Sequence, residues 1–290
     1  MKVLVFGGSG FLGSYLVEEL LRRKHEVVVC DLNRINDINH AAEFVKCDIL
    51  DQTEVNKAFS DDVEVVYNLA GFANLDKAVH HPYKTMELNV LGNINILNAA
   101  VNSNIERYVY ASSAYAMNNK GSFYGISKLS SEKIVEEYYK RYDLTYTILR
   151  YGSVYSERNF ENNYIYQLVN QAIKDGRIDH EGDGEEIREY IHAQDAATLS
   201  VDIIESSDYI NQQIVLTGVE RMKRAELFKM IKEILNENLE IVLKNDGYDN
   251  HYKYTPYSFE ASVSKKLVAN PHIDMGQGLL RCIKAVYNDN

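Results

Sequence analysis

The sequence has no tryptophan, only three prolines and only three cysteines in 290 residues. With so little proline and sixteen glycines, it lacks the Pro/Gly-rich linker that separates independent domains. Cys30, Cys47 and Cys282 are odd in number and unclustered. They supply neither a disulfide framework nor a zinc site, so no metal is expected, and they suit a reducing, cytoplasmic compartment. No apolar run approaches the roughly 18 residues of a membrane span, and the first residues do not read as a secretory signal. Basic charge is the scarcer sign: 31 Lys and Arg stand against 42 Asp and Glu, a net of −11. Such a chain repels polyanions, so neither a nucleic-acid groove nor an anionic membrane surface is expected as a partner. What is present is ample for a core, with 46% hydrophobic and 25% charged residues over a length that fits one large or two modest domains.

Short β-branched runs alternate with segments of helical period, the βαβ signature of a parallel sheet flanked by helices. Strands are expected at Val3–Phe6, Glu26–Cys30, Ala42–Cys47, Val63–Ala70, Arg107–Ala111 and Thr145–Leu149. Helices are expected at Phe11–Lys24, Thr53–Phe59, Tyr83–Val101 and Tyr124–Arg141. In the longest, Met86, Val90, Ile94, Leu97 and Val101 recur at three- and four-residue steps and read as the buried stripe. The pattern predicts a Rossmann-type, doubly wound α/β fold over residues 1–155, with a sheet that can gain later strands. Residues 156–290 read as a smaller, irregular α/β substrate lobe interleaved with it. Helices are expected there at Asn162–Lys174, Ala193–Ile204, Arg224–Leu235 and Gly278–Val286, with brief strands at Gln213–Leu216 and Glu240–Leu243.

Directly after the first strand comes Gly7-Gly8-Ser9-Gly10-Phe11-Leu12-Gly13. Glycines at this spacing allow a tight turn, close approach of the backbone to a pyrophosphate, and close packing of helix on strand. The amides that open the Phe11 helix then face the phosphates. Asp31, ending the second strand, can accept two hydrogen bonds from an adenosine ribose and would repel a 2′-phosphate. NAD is therefore favoured over NADP, with Arg34 nearby weakening the preference slightly.

Tyr124 and Lys128 form a Y-x-x-x-K pair, four residues apart on one helical face. Tyrosine is a poor base at neutral pH. Lowering its pKa by about three units takes ~4 kcal/mol, which a lysine and a nicotinamide cation in one cleft can supply. With 22 tyrosines in the chain, such a pair also arises by chance, and Tyr138 and Tyr139 read equally well as packing residues. Ser112 and Ser113 follow the fifth strand, at the sheet edge where ligands bind in such folds.

With these motifs in place, the chain resembles the extended short-chain dehydrogenase/reductases, specifically the NAD-dependent sugar-nucleotide epimerases and dehydratases. The resemblance spans nearly the whole length. It implies that Gly7, Gly10, Phe11, Leu12, Gly13 and Asp31 hold the dinucleotide, with Asp48 and Ile49 at the adenine. Leu69-Ala70-Gly71 and the helix residue Asn89 would line the cofactor, and Ser113, Tyr124 and Lys128 would be catalytic. Arg150-Tyr151-Gly152-Ser153-Val154-Tyr155 and the stretch from Gly182 to Asp195 match further family segments. Ser153 stands where a substrate-contacting asparagine is common. Arg158 and Arg188 remain as phosphate partners, and Lys253 or His251 substitutes for the arginine of an R-x-G-D segment that the chain lacks. His192 reads as structural.

The loop between Ser113 and Tyr124 is shorter than usual, with Ala116-Met117-Asn118 replacing a V-Y-G. Ala114-Tyr115 stands where dehydratases carry an Asp-Glu pair, which disfavours dehydration. The resemblance thus implies an NAD-dependent epimerase acting on a nucleotide sugar through a transient 4-keto intermediate. An NAD(P)-dependent 4-reductase or dehydrogenase is the alternative, and a non-catalytic dinucleotide-binding protein a third. Relatives also pair the helices corresponding to 83–101 and 124–141, so a homodimer is expected.

Overall fold

A computed structural model describes residues 1–34, 41–117, 120–235, 238–244, 251–254, 265–270 and 272–289; Asn118 lies outside them. The first half winds as β1 (Lys2–Phe6), α1 (Phe11–Arg22), β2 (Glu26–Asp31), β3 (Glu43–Lys46), α2 (Gln52–Ala58), β4 (Val65–Asn68) and α3 (Leu75–His80). Next, α4 (Pro82–Met86), a π-helical turn (Glu87–Leu91) and α5 (Gly92–Asn102) run on from one another. Then come β5 (Arg107–Ser113), a 3-10 turn (Ala114–Met117), α6 (Ser122–Tyr142) and β6 (Tyr146–Tyr151). The second half adds β7 (Ser153–Tyr155), α7 (Tyr164–Asp175), β8 (Arg177–His180), β9 (Ile187–His192), α8 (Ala193–Ile204), β10 (Gln212–Leu216) and β11 (Arg221–Lys223). It ends with α9 (Arg224–Leu235), β12 (Glu240–Leu243), β13 (Lys265–Leu267) and α10 (Met275–Asp289).

The main sheet runs β3-β2-β1-β4-β5-β6-β10-β13, and every neighbouring pair in it is parallel. Its inner strands, such as β1 and β4, are apolar and buried along most of their length because helices cover both faces. Leu16, Val17 and Leu20 of α1 pack with Ala196 and Leu199 of α8 on one face. Ile96 and Leu97 of α5, Val55 of α2 and Val135 of α6 pack on the other. The second half thus contributes two strands and a helix to the first half's core. Its own core gathers α7, α9 and α10 around Leu168, Phe228 and Leu279. Strand order reverses between β1 and β4, which leaves a crevice at the carboxyl ends of the strands. No helix among the described residues is long and apolar enough to cross a membrane.

The segment from Pro82 to Asn102 departs from its expected packing. Of the predicted stripe only Leu97 is fully buried; Met86, Val90, Ile94 and Val101 are half-buried. The inward face carries Thr85, Asn89, Asn93 and Ile96 instead. Most of their polar atoms are paired: Asn93 Oδ1 accepts from Tyr108 and Asn68, and Asn89 bonds to Phe72 and Ser127, while Asn93 Nδ2 has no partner among the described residues. The π turn also shifts the helical phase by about one residue, so a count at 3.6 residues per turn loses register there.

Candidate active site

A cleft of about 1260 Å³ runs along the carboxyl ends of the strands and into the second half. It exceeds the roughly 300–1,000 Å³ typical of one small-ligand site, which leaves room for two ligands side by side.

One wall is built by backbone shape. Gly7 adopts φ +78°, and a Cβ there would meet the Ala70 nitrogen at 2.6 Å. A Cβ on Gly13 would stand 2.1 Å from the Gly7 carbonyl oxygen, so α1 packs against the turn as only glycine allows. Gly10 precedes α1 without a side-chain cap, which leaves its first amides to face the cleft. Asp31 borders the same space and accepts from the Ser9 and Leu32 amides at 3.1 and 2.8 Å. Burial pushes its carboxyl above the usual range, with those amides opposing. Asp48, Ile49, Leu69, Ala70 and Gly71 complete this wall together with Phe11 and Leu12. A glycine cradle, open helix amides and a ribose-sized carboxylate fit a dinucleotide.

Asn89 is not on the wall. Its Oδ1 accepts from the Phe72 amide at 2.6 Å and its Nδ2 donates to Ser127 Oγ at 2.8 Å. It positions the Gly71 turn and the start of α6 rather than facing a ligand.

At the middle of the cleft stand Ser113, Tyr124 and Lys128. β5 carries Ser113 to the sheet edge, and the first turns of α6 present the tyrosine and lysine on one side. The Ser113 hydroxyl accepts from the Tyr115 amide at 3.3 Å and borders the cleft beside the Tyr124 phenol. The Lys128 ammonium donates to the Ala111 carbonyl at 2.8 Å and lies 5.9 Å from the centre of the Tyr124 ring. Burial raises the Tyr124 phenol above its ordinary value, and the nearby Ser113 side chain works against that. Burial brings Lys128 down to about 8, with Glu132 opposing. Behind these groups Glu132 pairs with Arg150 through two bonds of 2.8 and 2.6 Å and accepts from Ser112, locking the ends of β5 and β6 to α6.

The far wall is built mostly by the second half. Ser153 and Arg188 line it as expected. The Arg188 side chain is fully buried, its guanidinium 4.1 Å from the centre of the Tyr252 ring. Its Nη1 donates to the Ile187 carbonyl, whereas its Nη2 has no hydrogen-bond partner among the described residues. Two expected phosphate partners lie elsewhere. Arg158 turns to α1, where it stacks on Tyr15 at 3.8 Å and bonds to Ser14 and Glu18, because that helix offers it a carboxylate and a ring. Lys253 points outward to Asp183 at 2.8 Å while its carbonyl accepts from the Ile187 amide. His251 does border the cleft. His192 is buried, caps α8 and meets Glu157 at 3.0 Å, a structural role. The sequence reading missed Tyr164, whose ring stacks under the buried Arg224 guanidinium at 3.9 Å on the same wall, and also Tyr115, Tyr252 and Asp76. Aromatic and charged residues at these positions have no spacing that marks them.

Residues 3–217 match the model of the NAD dependent epimerase/dehydratase family. A putative UDP-glucose 4-epimerase of Methanocaldococcus jannaschii is 30% identical over 311 aligned residues, spanning 99% of each chain. Among solved structures, the UDP-glucose 4-epimerase of Thermotoga maritima with UDP-glucose aligns over 100% of this chain and 99% of its own, with TM-score 0.85 and 24% identity. A Bacillus cereus UDP-glucuronic acid 4-epimerase variant, in complex with a fluorinated UDP-sugar and NAD, aligns over 100% of both chains with TM-score 0.87 and 22% identity. At such identities the two structures speak for the fold alone. The family match over most of the length and the full-length relative go further: the chain belongs to the NAD-dependent epimerase/dehydratase family and is an enzyme of that kind.

Proposed function

We propose that this enzyme binds NAD and inverts the C4 centre of a nucleotide-activated sugar through a transient 4-keto intermediate. The observation that carries this reading is that Ser113, Tyr124 and Lys128 share one cleft with the glycine turn and Asp31. Bound NAD supplies the hydride acceptor and donor that a reversible oxidation needs. Tyr124 takes the proton of the C4 hydroxyl, and Ser113 holds that oxygen before and after it becomes a ketone. Lys128, fixed by the Ala111 carbonyl, favours the phenolate. Arg188, with a buried donor to spare, receives the diphosphate. No carboxylic acid follows Ser113 at positions 114 and 115, so inversion is favoured over loss of water.

Incubation of the protein and NAD with UDP-sugars and dTDP-glucose, followed by NMR, should show the C4 epimer without net NADH absorbance. Tyr124→Phe should slow inversion by roughly a thousandfold while NAD still binds. Steady NADH formation would favour the dehydrogenase reading, and an inert protein that binds NAD would leave a dinucleotide holder.

We also infer a homodimer through the α4–α5 segment and α6. Tyr83, Leu91, Ile126, Leu129 and Tyr142 are exposed there, next to the half-buried Met86 and Val90. Sedimentation showing only monomer at micromolar concentration would remove it.

A further inference from the structure

A second group of titratable residues borders the middle of the cleft, apart from Ser113, Tyr124 and Lys128. Tyr115 lies in the short turn after β5, and its ring meets that of Tyr124 edge-on with centroids 6.3 Å apart. The Tyr115 hydroxyl is 2.7 Å from His251 Nδ1. On the other side of that imidazole, Nε2 is 3.0 Å from Asp76 Oδ1. The three residues come from three separate parts of the chain: the turn after β5, the second half, and the first turn of α3. All three line the cleft, and Asp76 is exposed to solvent. Tyr252 packs against Tyr115 with ring centroids 4.7 Å apart and planes tilted by 43°.

The order of groups is that of a proton relay. With Nε2–H donating to Asp76, Nδ1 accepts from the phenol. An imidazole so placed can take the phenol proton, and a carboxylate behind it steadies the cation that results. The hydrogen bond from His251 holds the Asp76 carboxyl below its ordinary range, as befits the carboxylate end of such a chain. A phenol with its own base and its own exit to water, facing the catalytic tyrosine, has no part in the hydride chemistry already assigned.

We propose that Tyr115, served by His251 and Asp76, is a second acid–base group that exchanges the proton on a ring carbon next to the oxidised carbon of the sugar. This rests on the transient 4-keto reading above. In the step, His251 takes the Tyr115 phenol proton, and the Tyr115 oxygen removes the proton from C3 or C5. The electron pair of that C–H bond forms the enolate double bond, and the ketone oxygen, hydrogen-bonded by Ser113 and the now protonated Tyr124, takes the charge. Return of a proton from Tyr115 restores the ketone. Because the relay opens to water at Asp76, the carbon gains a solvent hydrogen. Only a C–H bond breaks and re-forms, and no oxidant or reductant is consumed. Tyr115 is the catalytic residue of this step; His251 and Asp76 position and recharge it.

The test is turnover of UDP-glucose, UDP-galactose, UDP-glucuronic acid and dTDP-glucose by the NAD-loaded protein in deuterium oxide. NMR reads C4 inversion and ring deuterium in the same tube. The expected result is deuterium at C3 or C5 in wild type, with the amount gained per C4 inversion falling at least tenfold in Tyr115→Phe. That variant keeps the ring and its stacking. His251→Ala should lose the deuterium in the same way and regain it with added imidazole, which a purely structural histidine would not do. C4 inversion with no ring deuterium would overturn the relay and leave the epimerase reading standing. Equal deuterium per inversion in wild type and Tyr115→Phe would assign the exchange to another base and overturn it too. Absence of C4 inversion with every sugar would bring down both.

Discussion

The two walls of the cleft bind in different ways. The glycine-turn wall presents main chain: an open helix terminus, a left-handed residue at Gly7 and a contact at Gly13 that no Cβ survives. The far wall presents side chains: Arg188 on Tyr252, Arg224 on Tyr164, and Tyr115 on His251. A wall of main chain suits a ligand that never changes, since almost any departure from its few glycines blocks it. A wall of stacked arginines and tyrosines can change its ligand by exchanging one ring or one charge. Members of one family can thus share a cofactor and differ in sugar.

The ion pair behind the middle of the cleft, between the two walls' supporting strands and α6, should show the largest effect. Glu132 and Arg150 form a fully paired ion pair buried behind the catalytic strands. Glu132→Ala leaves the guanidinium uncompensated and should cost about 3–5 kcal/mol in urea unfolding. Replacing both partners with leucine and methionine should recover much of that loss. An unchanged midpoint in the single variant would show that the pair does not hold β5 and β6 to α6.

Lys128 comes next. Burial brings its folded pKa to about 8, below the unfolded value of 10.5. Between those values the unfolded chain binds more protons, so stability contributed by this group rises with pH across that window and is absent below it. Across the window, the cofactor-free wild type should gain about 3 kcal/mol relative to Lys128→Met. A constant difference between the two proteins would place the ammonium in water.

The smallest effect separates the walls most cleanly. Arg188→Met should raise KM for the nucleotide sugar by about thirtyfold, near 2 kcal/mol, without changing NAD affinity. Arg158→Met should leave that KM alone, because its guanidinium lies on Tyr15, away from the cleft. The opposite pattern would reverse the assignment of phosphate partner.

This difference also explains what could be read from the sequence. The glycine turn, Asp31 and the Tyr124–Lys128 pair are local patterns, because each is set by one turn or one helical face. The sheet order followed from strand–helix alternation, apart from β10 and β13, whose place in the sheet is fixed by distant partners. The far wall was hidden for the same reason: Tyr115 and His251 are 136 residues apart in the chain and meet only after folding. Spacing could not show that Arg158 and Lys253 pair with carboxylates outside the cleft lining, Glu18 and Asp183. The Pro82–Asn102 stripe misled because its buried face is built largely from hydrogen-bonding asparagines, which a count of apolar residues passes over.

The central claim is that Tyr124, Ser113 and Lys128 let a hydride leave and return at one carbon of one bound sugar. The most direct measurement is conversion of a nucleotide sugar carrying deuterium at C4, with the product read by NMR. The expected product is the C4 epimer with the deuterium still on C4, formed by wild type and slowed about a thousandfold in Tyr124→Phe. An epimer that has exchanged its C4 deuterium for solvent hydrogen, or one formed equally fast without the phenol, would contradict it.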